Sequence, residues 1–139
     1  MVTAFNIMFS KAAAARIMGC AAGQVVRVQK FAFVAWVWAR GQRPRFVSLS
    51  LFKAAFVQRR MRAGAELKAE RWADVPHWFT VRNEKKNSSY PVVVGKAGPV
   101  CRCEDYKNQQ QFFGKGVCKH GYAVLRELGF GSLAGFLAA

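Results

Sequence analysis

Acid is what this sequence lacks. No aspartate or glutamate occurs before Glu66, and the 139 residues contain seven in all. The same front stretch carries eleven basic residues: Lys11, Arg16, Arg27, Lys30, Arg40, Arg43, Arg45, Lys53, Arg59, Arg60 and Arg62. A solvated surface usually mixes both signs. A front half of one sign, in a chain of net charge +15, points instead to a polyanionic partner. Histidine is scarce too. There are two, His77 and His120, and no acid stands at a recognisable catalytic spacing from a histidine free of other duty. That argues against acid–base enzymology.

Long apolar runs are also missing. The stretch Phe31 to Ala39 is nine residues, too short to span a bilayer. Ile17-Met18-Gly19-Cys20 has the outline of a lipid-anchored cleavage site, but Lys11 and Arg16 interrupt the apolar stretch before it. No internal repeat or low-complexity segment is present. The expectation is a soluble intracellular protein, cytoplasmic or nucleoid-associated, with no membrane partner. Its thiols would be reduced and open to metal.

What is present is a clustered set of metal ligands. Cys101-Arg102-Cys103 is followed, after fourteen residues, by Cys118-Lys119-His120. Extended backbone sends residues i and i+2 to the same face, so Cys101 and Cys103 can reach one ion. Cys-x-His does the same only if Cys118 precedes a helix and His120 lies in its first turn. The stretch Lys119 to Leu128, with Tyr122, Val124, Leu125 and Leu128 apolar and Gly129 after them, predicts that helix. Three sulfurs and one imidazole make a closed tetrahedral set, the structural kind of zinc site. Disulfides are disfavoured without a secretory signal, and buried free thiols leave the Cys-x-His spacing unexplained. Cys20 stands apart and reads as an ordinary buried thiol.

The pattern C-x-C…C-x-H, with Asp105-Tyr106 after the second cysteine and Lys119-His120 before an Ala-Val-Leu helix, resembles the SWIM zinc finger. The likeness covers roughly Trp78 to Leu128, and departs from the family in Glu104, where proline or a small residue is usual. It implies a β-hairpin, a Cys-x-Cys knuckle, a variable loop and a Cys-x-His helix start, with one zinc on Cys101, Cys103, Cys118 and His120. It also implies DNA binding or protein–protein contact, without choosing between them.

The expected fold class is α+β: a small zinc-stabilised ββα module at 75–139, preceded by a basic helix and hairpin module at 1–74. Two modules of this size are each marginal on burial alone, and a structural zinc contributes on the order of 10 kcal/mol. In the front module, Ser10 caps a helix over Lys11 to Met18 that Gly19 stops. Ala15, Gly19, Cys20, Val25 and Val28 stand where a helix-turn-helix wants small, turning and apolar residues. Val25 to Val28 also carries high strand propensity, so a strand from Val25 competes with a second helix. Phe33 to Ala39 and Arg45 to Leu49 predict a hairpin with an arginine-rich tip, and a helix follows from Leu51, continuing past Gly64 to Trp72. That order is similar to the winged helices of excisionase and MerR-type proteins.

In the back module, Trp78 to Val81 and Tyr90 to Val94 predict a hairpin whose aromatics underlie the zinc site. The stretch Glu104 to Val117 reads as an exposed polar loop, His77 as a packed or exposed residue outside the ligand set, and the tail from Gly129 as apolar and small.

Two functions are consistent with this. In the first, the protein binds DNA in a transcriptional, mobile-element or recombination setting and is not an enzyme. If residues 22–31 form a recognition helix, Gln24, Arg27 and Lys30 would face a groove and read base edges; Arg43 and Arg45 would hold phosphates or enter the minor groove from the wing, and Arg59, Arg60, Arg62 and Lys119 would add contacts. RNA is a further polyanion of the same kind. In the second, zinc is purely structural and the module docks another protein, with only non-specific DNA affinity. Oligomeric state is open.

Overall fold

A computed structural model describes residues 2–139, which fall into two compact units dividing between Arg59 and Arg60. Among these residues no helix is long and apolar enough to cross a membrane.

The first unit starts with two short helices, α1 (Ala4–Met8) and α2 (Lys11–Met18). Ser10 caps α2 as its sequence position predicts: the hydroxyl accepts from the amide of Ala13 at 3.0 Å. Gly19 ends it in left-handed backbone at φ 70°. A single 3-10 turn, Ala22–Gln24, leads to a three-stranded antiparallel meander, β1 (Val25–Lys30), β2 (Val34–Ala39) and β3 (Arg45–Ser48), and then to α3 (Leu49–Ala65). The core lies on one side of this sheet. Ala13, Ala14 and Ala15 are buried with Val25, Ala35, Val37, Ala39, Val47, Phe9 and Phe52. Three consecutive alanines let α2 lie close to the strands, since no long side chain holds it off. Cys20 is half-buried against this core as a free thiol.

The expected recognition helix over residues 22–31 does not form. The segment is the 3-10 turn followed by β1, so the winged helix-turn-helix expectation fails at its central element. Val25 and Val28 do both turn towards the core, as helical spacing suggested, but a β-bulge puts them there. Val25 pairs with Ala39 and Arg27 with Trp38, leaving Val26 as the extra residue that shifts the alternation by one. Branched residues at three of four positions favour the pleat, because a helix would freeze their side chains against the preceding turn.

The second unit is built on a four-stranded antiparallel sheet in sequence order: β4 (Lys68–Arg71), β5 (Trp78–Asn83), β6 (Ser88–Gly95) and β7 (Gly98–Cys101). The predicted hairpin is its β5–β6 centre, with Trp78 opposite Val93 and Asn83 opposite Ser88. The expected helix through Trp72 instead ends at Ala65, where the amides of Glu66 and Leu67 turn back onto Ala63 and Gly64. Lys68 to Arg71 then pairs with Arg82 to Phe79, so this stretch belongs with the second sheet, and the expected boundary at residue 74 lies too late. Strand pairing overrides the helical propensity of Lys-Ala-Glu.

Three helices complete the unit: α4 (Glu104–Phe113), α5 (Lys119–Glu127) and α6 (Leu133–Leu137). The stretch expected to be an exposed loop is thus mostly α4, and Gln109 within it is 2% exposed. Helix α5 buries His120, Gly121, Ala123, Val124 and Leu125. Its core partners are Leu67, Phe79, Val81 and Val92, together with three cysteines. Gly64 of α3 sits so close to α5 that a Cβ there would lie 2.6 Å from the carbonyl oxygen of Lys119.

Candidate metal centre

The two ligand pairs reach one point by the routes their spacings predict. Cys101 is the last residue of β7 and Cys103 the extended residue that caps α4. Cys118 caps α5, and His120 is the second residue of that helix. The four ligand atoms all lie within 4.8 Å of one another, and all four residues are buried. Cys101 Sγ is 3.7 Å from His120 Nδ1, and Cys118 Sγ is 3.8 Å from the same nitrogen. A tetrahedral ion with sulfur at about 2.3 Å and nitrogen at about 2.0 Å sets sulfur–nitrogen edges of ~3.5 Å and sulfur–sulfur edges of ~3.8 Å. The arrangement fits one metal ion.

Local backbone prepares the sulfurs for negative charge. The amide of Tyr106 donates to Cys103 Sγ at 3.4 Å, and the amide of Gly121 donates to Cys118 Sγ at 3.4 Å. Each thiol therefore occupies a helix N-cap, where free amides and the helix dipole favour an anion. The signal for both donors was in the sequence, three residues after each cysteine, at N-cap spacing. Hydrogen bonds from Cys103 and then Cys118 hold the Cys101 thiol below its ordinary value. Cys118 is pushed up, first by its bond with Cys101, then by that with Cys103 and by burial. Three sulfurs this close resist ionising together unless a cation sits among them.

The surroundings fix the frame. The Tyr90 ring lies 4.6 Å from the His120 imidazole, centroid to centroid, so the β6 aromatic does sit beside the centre. Trp78 packs elsewhere, against Trp72 at 5.2 Å. Gln109 donates to Asp105 Oδ2 and to the Val117 carbonyl, both at 3.0 Å, tying α4 to the residue before Cys118. Nothing in the sequence singled out Gln109. His77 is exposed, in left-handed backbone at φ 67°, and is not one of the clustered ligands.

The residues expected to touch nucleic acid are dispersed. Gln24 turns its side-chain oxygen onto the Ala21 amide at 2.9 Å. Arg27 and Lys30 are exposed on β1, with Lys30 Nζ 6.0 Å from the Phe9 ring centroid. Because β1 is a strand, Gln24, Arg27 and Lys30 do not line one helical face. Arg43 is exposed in the β2–β3 connection, whereas Arg45 donates to Met18 Sδ and the Ile17 carbonyl. Arg59 and Arg62 are exposed on α3. Arg60 is committed to a two-pronged pair with Asp105, at 2.9 and 2.8 Å, its side chain only 14% exposed. Lys119 is half-buried at the start of α5.

Compared with protein-family models, curated proteins and solved structures, the chain finds no match.

Proposed function

We propose that this protein is a zinc-binding, DNA-binding protein of SWIM type, with zinc in a structural role. The observation that carries the zinc reading is the buried three-sulfur, one-imidazole cluster with atoms within 4.8 Å. Such a closed set leaves no position for an activated water, which supports a non-catalytic role. The DNA reading is supported by charge: the net +15 and the absence of acid before Glu66. Phosphate contacts from exposed residues such as Arg27, Arg43, Arg59 and Arg62 would supply affinity and release counterions. A setting in transcription, recombination or mobile elements follows from the SWIM resemblance.

Two measurements test this. Metal analysis of protein purified without added metal should find one zinc per chain, and a metal-free yet fully folded protein would overturn the zinc reading. DNA affinity, measured by anisotropy with labelled oligonucleotides, should fall by about a thousandfold between 50 and 200 mM salt if six or so phosphates are neutralised. Affinity indifferent to salt would overturn the DNA reading, and would leave protein docking as the role of the module.

A further inference from the structure

We infer that the outward face of the β1–β2–β3 sheet is a stacking platform for single-stranded DNA. This rests on the DNA reading above and names the form of DNA and the surface that takes it. In β2, Ala35, Val37 and Ala39 are fully buried, so the alternate residues Val34, Trp36 and Trp38 face away from the core. Directly opposed residues of an antiparallel pair share a face. Trp36 is opposite Gln29 on one side and Phe46 on the other, and Trp38 is opposite Arg27. The Phe31 ring extends the row, 6.3 Å from that of Phe46.

Trp36 is half-buried, and the rings around it are exposed. Phe46 is 65% exposed, Phe31 45% and Trp38 41%, and Phe33 in the β1–β2 turn is 86% exposed. Rings of this size are normally buried, and an exposed group of them marks a binding surface. Charge selects the occupant. The chain up to Arg59 carries no acid at all, and Arg27, Arg40 and Arg43 are exposed around the Trp38 end of the sheet. A second copy of this chain would bring the same positive charge to the face. A polyanion with flat apolar rings of its own meets both demands: phosphates to the arginines, bases onto the aromatics. Trp36 and Trp38 are two residues apart on one strand, a step of about 6.7 Å, roughly twice the 3.4 Å rise of stacked bases. Bases resting on both rings must be splayed apart, which a single strand allows and a duplex does not. The bulge at Val26 is what aims Arg27 outward beside Trp38.

The test uses the full zinc-loaded chain and three labelled probes of one mixed 20-nucleotide sequence: single-stranded DNA, duplex DNA and single-stranded RNA. Single-stranded DNA should bind at least about tenfold tighter than duplex and should quench tryptophan fluorescence. Phe46→Ser and Phe33→Ser change residues that are mostly in solvent, so the fold survives, and each should weaken single-strand binding by about tenfold. Trp38→Ala should do the same, and Trp38→Phe should restore most of the affinity. Arg27→Ala should flatten the salt dependence rather than the quenching. Duplex preference, or full affinity in the three aromatic-removing variants, would overturn the platform and leave the DNA reading standing. Tighter binding to RNA would overturn the assignment to DNA. Loss of all binding at low salt would remove both readings at once.

Discussion

Single atoms decide several properties of this molecule. At Gly64 an added methyl group would meet backbone, the Lys119 carbonyl at 2.6 Å, not a side chain that can swing away. Alanine is the better helix former by about 1 kcal/mol, but forcing α3 from α5 costs ~1–3 kcal/mol. Gly64→Ala is therefore expected to destabilise the second unit, by about 1 kcal/mol net, read as a lower midpoint in urea. At Cys118 the effect is larger. With zinc as the proposed ion, a Cys118→Ser protein should lose it and the folded second unit with it, since a structural zinc contributes on the order of 10 kcal/mol. Metal content and circular dichroism report that together. Asp105→Ala leaves the Arg60 guanidinium, little exposed, without its two-pronged partner. The pair is partly solvated at the carboxylate, so a loss of ~1–2 kcal/mol is expected in thermal melts.

At the scale of elements, what the sequence showed depended on whether the signal was local. The α2 cap and stop were legible because Ser10 and Gly19 act on their own backbone, and Ser10→Ala should cost about 1 kcal/mol in the denaturation of the first unit. The metal centre was legible for the same reason: each ligand pair is two residues apart, and only the join between pairs is tertiary. β1 was legible only as one of two competing readings. Val25 and Val28 stand three apart, the helical spacing, against the strand propensity of the same stretch, and the bulge that produces that spacing in a strand is set by pairing with β2. β4 and α4 were missed on similar grounds. Lys-Ala-Glu-Arg carries no strand signal until β5 lies beside it. The polar run after Cys103 looks solvated until Gln109 is seen bonding inward to Val117. The hairpin of β2 and β3 was legible, but the exposure of its rings was not, because alternation alone does not say which face the helices cover.

For the whole molecule, two separate cores mean two separate accounts of stability. The first holds no metal ligand; the second includes Cys101, Cys103 and Cys118 among its buried residues. A strong chelator should accordingly abolish one unfolding transition and spare the other, with Trp36 and Trp38 reporting the survivor. A single transition that vanishes entirely with chelator would contradict this division. The burial of the ligand set also bears on time. Cys118 is 1% exposed and His120 5%, so an ion held there would be closed off from dissolved ligands while the unit stays folded. With zinc as the proposed ion, swapping one isotope for another would then wait for α5 to lift off the sheet, at a rate set by that opening and not by how much competing ligand is supplied. Once loaded, the protein would keep the atom it first captured for as long as that helix stays closed.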